Sequence, residues 1–230
     1  MTKNHWRIVV AGEGGQGVQL IGEILAESAY RAGREAIYIP NFGVEQRGGV
    51  SMAMVQIADQ PLGAPKFEQA DILVPLSQRA MKRTQGFIKQ ETFYIYEASA
   101  LEPPHLHDET IGLQAWETVA PEAFSLAVGN QPQDPNQPPA GLGLMPSRVI
   151  GIPAATIAQA EFRPKVFNMI ILGAIVAVSN VLSLDMVKEG LLAKLGDKLQ
   201  HDPEVKELNL RALARGAAYV ADRAGEEVRK

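Results

Sequence analysis

Residues 8–22, IVVAGEGGQGVQLIG, constrain the fold more than any other stretch of the chain. Ile8, Val9 and Val10 stand in a row, which favours a buried strand. Gly12, Gly14, Gly15 and Gly17 then permit a tight turn. From Val18 the apolar residues recur at helical spacing, at Val18, Leu20, Ile21, Ile24, Leu25, Ala29 and Ala32, and Gly33 is placed to close the helix. A strand joined to a helix by a glycine turn is the opening unit of an α/β layered protein.

The rest of the first half keeps that rhythm. Strands are expected at Glu35–Pro40, Val50–Ile57, Ala70–Leu76 and over TFYIYEA, with a helix over SQRAMKRTQGFI. The sequence therefore predicts a Rossmann-like α/β fold with a largely parallel sheet and a helical C-terminal part. The run Gly129–Ser147 is rich in proline, glycine and glutamine and has no apolar period, so it reads as an irregular excursion. SRVIGIPA returns to a short strand, and helices follow over 165–230. Pro203 suits a helix start, because its missing N–H would be unpaired there in any case. Residues 1–230 read as one domain. Val166–Leu184 is long enough for a membrane span but holds Asn168, Ser179 and Asn180, which favours a buried helix over one in lipid.

Gly12, Gly14 and Gly17 match G-x-G-x-x-G between a strand and a helix, the setting of a dinucleotide loop. The NAD version needs a carboxylate at the end of the second strand to hold the ribose. Asn41 and Phe42 stand there instead, and Glu45 comes too late. A plain turn, a non-dinucleotide phosphate and a partner contact all remain open. Arg47 in QRGG places a guanidinium beside accessible backbone, which suits a phosphate or a carboxylate. His105 and His107 lack a third metal ligand nearby, and Ser51, Ser77 and Ser99 lack an assignable base. Asn168 and Asn180 are expected to be satisfied buried amides or helix contacts rather than catalytic groups.

Composition removes several classes. The net charge is −4, which argues against nucleic acid. There is no cysteine, so the chain offers no thiol nucleophile and no all-thiolate cluster ligands. The polar start MTKNHW does not look like a signal peptide, so a cytoplasmic protein is expected.

GEGGQGVQLIGEILAESAYRAG, NFGVEQRGGVSMAMVQI, IGIPAATIAQAEF and KVFNMIILGAIVA, in this order, resemble the gamma subunit of 2-oxoacid:acceptor oxidoreductases, the pyruvate:ferredoxin oxidoreductase superfamily. The resemblance covers roughly residues 6–220. It implies a multi-subunit enzyme that oxidatively decarboxylates a 2-oxoacid to an acyl-coenzyme A, using thiamine diphosphate and [4Fe–4S] clusters. It implies alpha-, beta- and delta-type partner subunits that carry those groups, with a further electron-transfer subunit as an additional partner. The gamma chain itself would bind no cofactor alone and would have no catalytic residue. Gly12, Gly14, Gly15, Gln16, Gly17 and Arg47 are the candidate contacts, either to a coenzyme A phosphate or across a subunit interface. The alternative is a free-standing Rossmann-type nucleotide-binding protein.

Overall fold

The computed structural model describes residues 3–42, 49–99, 148–200 and 202–227. Six strands form one sheet: β1 (His5–Gly12), β2 (Glu35–Asn41), β3 (Ser51–Ala58), β4 (Ile72–Pro75), β5 (Phe93–Glu97) and β6 (Arg148–Ile152), in the order β2-β3-β1-β4-β5-β6. β4 runs parallel to β1, β5 to β4 and β6 to β5. β3 is antiparallel to both of its neighbours. Residues 42–50 are too few for a parallel crossover, which takes about a dozen residues or more, so β2 and β3 pair as a hairpin. The sheet is largely parallel with one reversed strand inside it.

The register fixes which ends meet. Gly12 faces Ser51 across one ladder and Asn41 faces Met52 across the next. The carboxyl ends of β1 and β2 therefore lie at the same sheet edge, although β3 separates them.

Six helices complete the described chain: α1 (Val18–Arg31), α2 (Gln78–Arg83), α3 (Ala154–Glu161), α4 (Phe167–Ser179), α5 (Leu184–Gln200) and α6 (Pro203–Glu227). α1 ends where Gly33 takes φ 74° and donates its N–H to the Tyr30 carbonyl at 3.0 Å. α3 is a short element between β6 and the long apolar helix. Ile8, Val10, Val55, Ile72 and Val74 share one core with α1, α4, α5 and α6, while Val9, Met54, Leu73, Tyr94 and Tyr96 form a second core with Met81 and Ile88.

α4 is buried along most of its length, among α1, α3 and α6. Its contact with α6 depends on two glycines. A Cβ on Gly173 would lie 2.0 Å from the Leu213 carbonyl oxygen, and one on Gly216 would lie 1.9 Å from that of Ile170. Among the described residues no helix is long and apolar enough to cross a membrane.

Candidate functional site

The glycine turn leaves β1 at the sheet's carboxyl edge. Gln16 braces it from inside: its Oε1 accepts the Glu13 N–H at 2.7 Å, and its Nε2 donates to the Leu76 carbonyl just after β4 at 2.9 Å. The Gln16 backbone N–H donates to the Glu13 carbonyl at 3.2 Å. Gln16 is thus a strut of the loop, with both ends of its amide occupied. Gly12 packs close beneath it, and a Cβ there would meet Gln16 Oε1 at 2.5 Å.

Gly14, Gly15 and Gly17 behave differently. Gly15 has φ 90° and Gly17 has φ 71°, in the left-handed region where a side chain is strained. A Cβ on Gly14 or Gly15 would meet nothing within 4 Å. Gly17 is the N-cap of α1, with no side-chain cap, and no acidic residue stands in the first turn. Among the described residues, the N–H groups of Gly15, Gly17, Val18, Gln19 and Leu20 have no hydrogen-bond acceptor, and the first helical bond runs from the Ile21 N–H to the Gly17 carbonyl at 3.1 Å. A helix start with free N–H groups carries a partial positive charge and favours an anion.

The neighbouring strands hold the start of α1 in place. Gln19 Nε2 donates to Ser51 Oγ at 2.6 Å and to the Met52 carbonyl at 3.1 Å, and Tyr38 Oη donates to Gln19 Oε1 at 2.7 Å. Both described flanks of the β2–β3 connection therefore lie beside the glycine turn. Phe42, the first residue after β2, is 69% exposed. Arg47 lies outside the described residues, as do His105, His107 and the run Gly129–Ser147.

One residue expected to be a buried amide or a helix contact meets the turn from the other half of the chain. Asn168 opens α4 and lies against Gly17, where a Cβ would approach its Nδ2 to 2.4 Å. It is buried as a residue, 7% exposed. With Gly15, Pro164, Lys165 and Phe167 it lines a recess of about 460 Å³. Asn180 is exposed at φ 50° and is the C-cap of α4, its N–H donating to the Val176 carbonyl. The three serines have structural roles. Ser77 caps α2, Ser51 accepts from Gln19, and Ser99 donates to Glu97. Among the described residues no group of three His, Cys, Asp or Glu side chains could hold a metal.

In an open α/β sheet the loops at the carboxyl ends of the strands are where ligands commonly collect. The chain matches the family model described as pyruvate ferredoxin/flavodoxin oxidoreductase over residues 7–219, and it belongs to that family. The 2-oxoglutarate synthase subunit KorC of Methanocaldococcus jannaschii is 26% identical over 94% of each chain. Ketoisovalerate oxidoreductase subunit VorA of Methanothermobacter marburgensis is 34% identical over 40% of this chain, a match that spans only 20% of that relative. A 2-oxoglutarate:ferredoxin oxidoreductase from Magnetococcus marinus, solved with 2-oxoglutarate, coenzyme A and succinyl-CoA bound, shares 25% identity at a TM-score of 0.67. That likeness covers 96% of this chain and 32% of the other, so the chain spans about a third of the solved one. The gamma subunit of a keto/oxoacid ferredoxin oxidoreductase from Geobacter sulfurreducens has the same fold, with a TM-score of 0.63 at 23% identity over 94% of this chain and 99% of that one.

Proposed function

We propose that this chain is the gamma-type subunit of a cytoplasmic, multi-subunit 2-oxoacid:acceptor oxidoreductase that decarboxylates a 2-oxoacid and passes the acyl group to coenzyme A. The observation that carries this reading is the near end-to-end match to the KorC subunit, together with the family match over residues 7–219. A chain of this length corresponds to one separate subunit and to about a third of a longer relative.

The cofactors that such an enzyme uses do not fit this chain's residues. A [4Fe–4S] cluster is held by thiolates, and the sequence contains no cysteine. Nor does the chain contain a G-D-G segment of the kind that opens a thiamine-diphosphate motif; GDK at 196–198 is not one. In this reading alpha-, beta- and delta-type subunits carry both groups, and a further electron-transfer subunit is an additional partner. The gamma chain supplies a rigid sheet edge, with Gly12–Gly17 and Arg47 as its anion-favouring contact toward coenzyme A or an acidic side chain of the catalytic subunit. A free-standing nucleotide-binding protein is the weaker reading, because Asn41 ends β2 and Phe42 follows it where a ribose-binding carboxylate would stand.

Anaerobic co-purification tests this function. A tagged copy is expected to bring down cysteine-rich and thiamine-binding chains with 2-oxoacid- and coenzyme-A-dependent acceptor reduction. A homo-oligomer loaded with a nucleotide would overturn the reading, as would stoichiometric iron and sulfide in the lone chain. In the assembled enzyme, Arg47→Ala should weaken the loop's occupant by roughly ten- to a hundredfold, the value of one charged hydrogen bond. The measurement is the KM for coenzyme A alongside subunit composition.

A further inference from the structure

At the amino edge of the sheet, residues 59–71 connect β3 to β4 and leave a cleft of about 460 Å³ against the start of β1. Strand alternation sets its floor. His5 and Arg7 share a face of β1 with Val9, which belongs to the second core, and Gln56 is the register partner of Arg7 on β3. Lys66 and Glu68 stand on the loop side, and Leu62 and Phe67 supply the apolar part of the wall. We propose that this cleft is a carboxylate-binding site, with the Arg7 guanidinium as its principal contact and His5 and Lys66 beside it.

Gln56 ties the cleft together. It is only 3% exposed. Its Nε2 lies 2.7 Å from the Ala64 carbonyl oxygen and 3.1 Å from that of Pro65. Two carbonyls facing one end of the amide require that end to be the donor. Oε1 is then an acceptor, and it lies 2.9 Å from His5 Nε2. His5 Nε2 therefore carries a hydrogen in either charge state of the ring. Nδ1 is left without a protein partner among the described residues. One buried side chain thus holds the loop to the strand and fixes the imidazole tautomer.

Arg7 carries the charge. Its backbone N–H donates to Asp71 Oδ2 at 2.9 Å, while Lys3 and Lys89 both hold Oδ1 of the same carboxylate. The carboxylate beside Arg7 is therefore already satisfied. The Arg7 guanidinium, half-buried, has neither an ion-pair partner nor a hydrogen-bond acceptor among the described residues. Glu68 lines the same cleft without forming an ion pair there. A planar guanidinium fork matches the two oxygens of a carboxylate. Arg7 and Lys66 set two positive charges against the one negative charge of Glu68, a net charge of +1 before His5 is counted. That balance suits a monoanion, and Glu68 repels a doubly charged phosphate. Leu62 and Phe67 leave room for a short hydrocarbon body. A small organic acid and an acidic side chain of a partner chain present this same group.

The test titrates butanoate into the purified full chain, with butanamide as the neutral isostere and inorganic phosphate as the competing anion. Nuclear magnetic resonance follows the His5 ring and the Arg7 side chain. Butanoate should give saturable shifts at both, and the other two should not. Arg7→Gln keeps the backbone bond to Asp71 and should weaken butanoate roughly ten- to a hundredfold, the value of one charged hydrogen bond. Co-purification then separates the two sources. If a partner's carboxylate is the occupant, Arg7→Gln loses partner chains and butanoate competes with assembly. If a free acid is, assembly is unchanged, and either pattern supports the site. Urea unfolding checks that the variant folds. Lys66→Gln, at an exposed position, replaces it if it does not, and should weaken butanoate severalfold. No saturable butanoate binding would overturn the site. So would equal shifts with butanamide or phosphate, or unaltered butanoate affinity in the folded variant. The gamma-subunit reading stands or falls separately, on the composition of the complex.

Discussion

The amino and carboxyl edges of the sheet differ in what their polar groups leave unpaired. At the amino edge, Asp71 accepts the Arg7 N–H at 2.9 Å, pairs with Lys3 at 2.6 Å and is bonded by Lys89. Beside it Gln56 holds His5 at 2.9 Å and the Ala64 carbonyl at 2.7 Å, and Thr92 donates to the Ala70 carbonyl at 2.8 Å. At the carboxyl edge, Asn168 lies buried against Gly17. The first edge uses its polar groups to close the structure and leaves one side-chain cation, Arg7, unpaired among the described residues. The second braces its loops with Gln16 and Gln19 and also keeps N–H groups at the start of α1 without an acceptor among the described residues.

The largest expected effect lies in the packing that joins the two halves. Gly173→Ala drives a methyl into the Leu213 carbonyl, where backbone has to move. Overpacking of this kind costs about 1–3 kcal/mol and more when backbone is the obstacle, so about 3 kcal/mol or more is expected. Urea unfolding of the purified chain measures it. A near-neutral result would mean that α4 and α6 slide freely, and the fixed position of Asn168 would lose its support.

Asp71→Asn comes next and probes the closed edge. Burial alone would raise the Asp71 pKa, but the hydrogen bonds from Lys3, Lys89 and the Arg7 N–H outweigh it and hold the carboxyl below 3.8. Breaking a buried pair costs about 3–5 kcal/mol, but Lys3 is 40% exposed and its share is screened, so about 2–3 kcal/mol is expected. Because the folded-state pKa is the lower one, the stabilisation is complete above 3.8 and fades as pH falls through the folded-state value. The gap between Asp71→Asn and the unaltered chain should therefore hold near neutral pH and shrink once the pH falls below about 4 in urea titrations. A gap independent of pH would mean that Asp71 acts through shape alone.

Sequence order made the closed parts of this molecule easier to read than the open ones. Ile8–Val10, the glycines and the Val18–Ala32 periodicity specify β1, the turn and α1 locally, and each element formed where that local signal placed it. The reversed direction of β3 was present in the shortness of residues 42–50, yet buried Met52 and Val55 suit either direction, so composition did not reveal it. The Gln16 strut depends on where Leu76 arrives, and the exposure of Gly17 to Asn168 depends on how α4 crosses α1. Both are contacts between segments far apart in sequence, which periodicity does not encode. Asn168 looked like any polar residue in an apolar helix. Its distinguishing property is its contact with Gly17, and that exists only once every neighbour has been placed.

The smallest effects separate the glycines of the open edge from one another. Gly17 has φ 71°, and a Cβ there would press on Asn168 Nδ2 at 2.4 Å. Gly17→Ala should therefore cost about 1–2 kcal/mol in backbone strain. It should also shift the turn, so that coenzyme A use by the assembled enzyme falls with stability. Gly14 has no positive φ, and nothing lies within 4 Å of an added Cβ. Gly14→Ala should change stability by less than about 0.5 kcal/mol, the range of an ordinary surface substitution. Paired urea unfolding curves for the two variants, with coenzyme A KM values from the same preparations, check both expectations. If a destabilised Gly17→Ala enzyme kept the unaltered coenzyme A KM, the turn would be a structural corner, and the carboxyl edge would be closed in the same sense as the amino edge. If Gly14→Ala were as stable as expected but raised that KM, open space above the turn would itself be the property the glycine preserves.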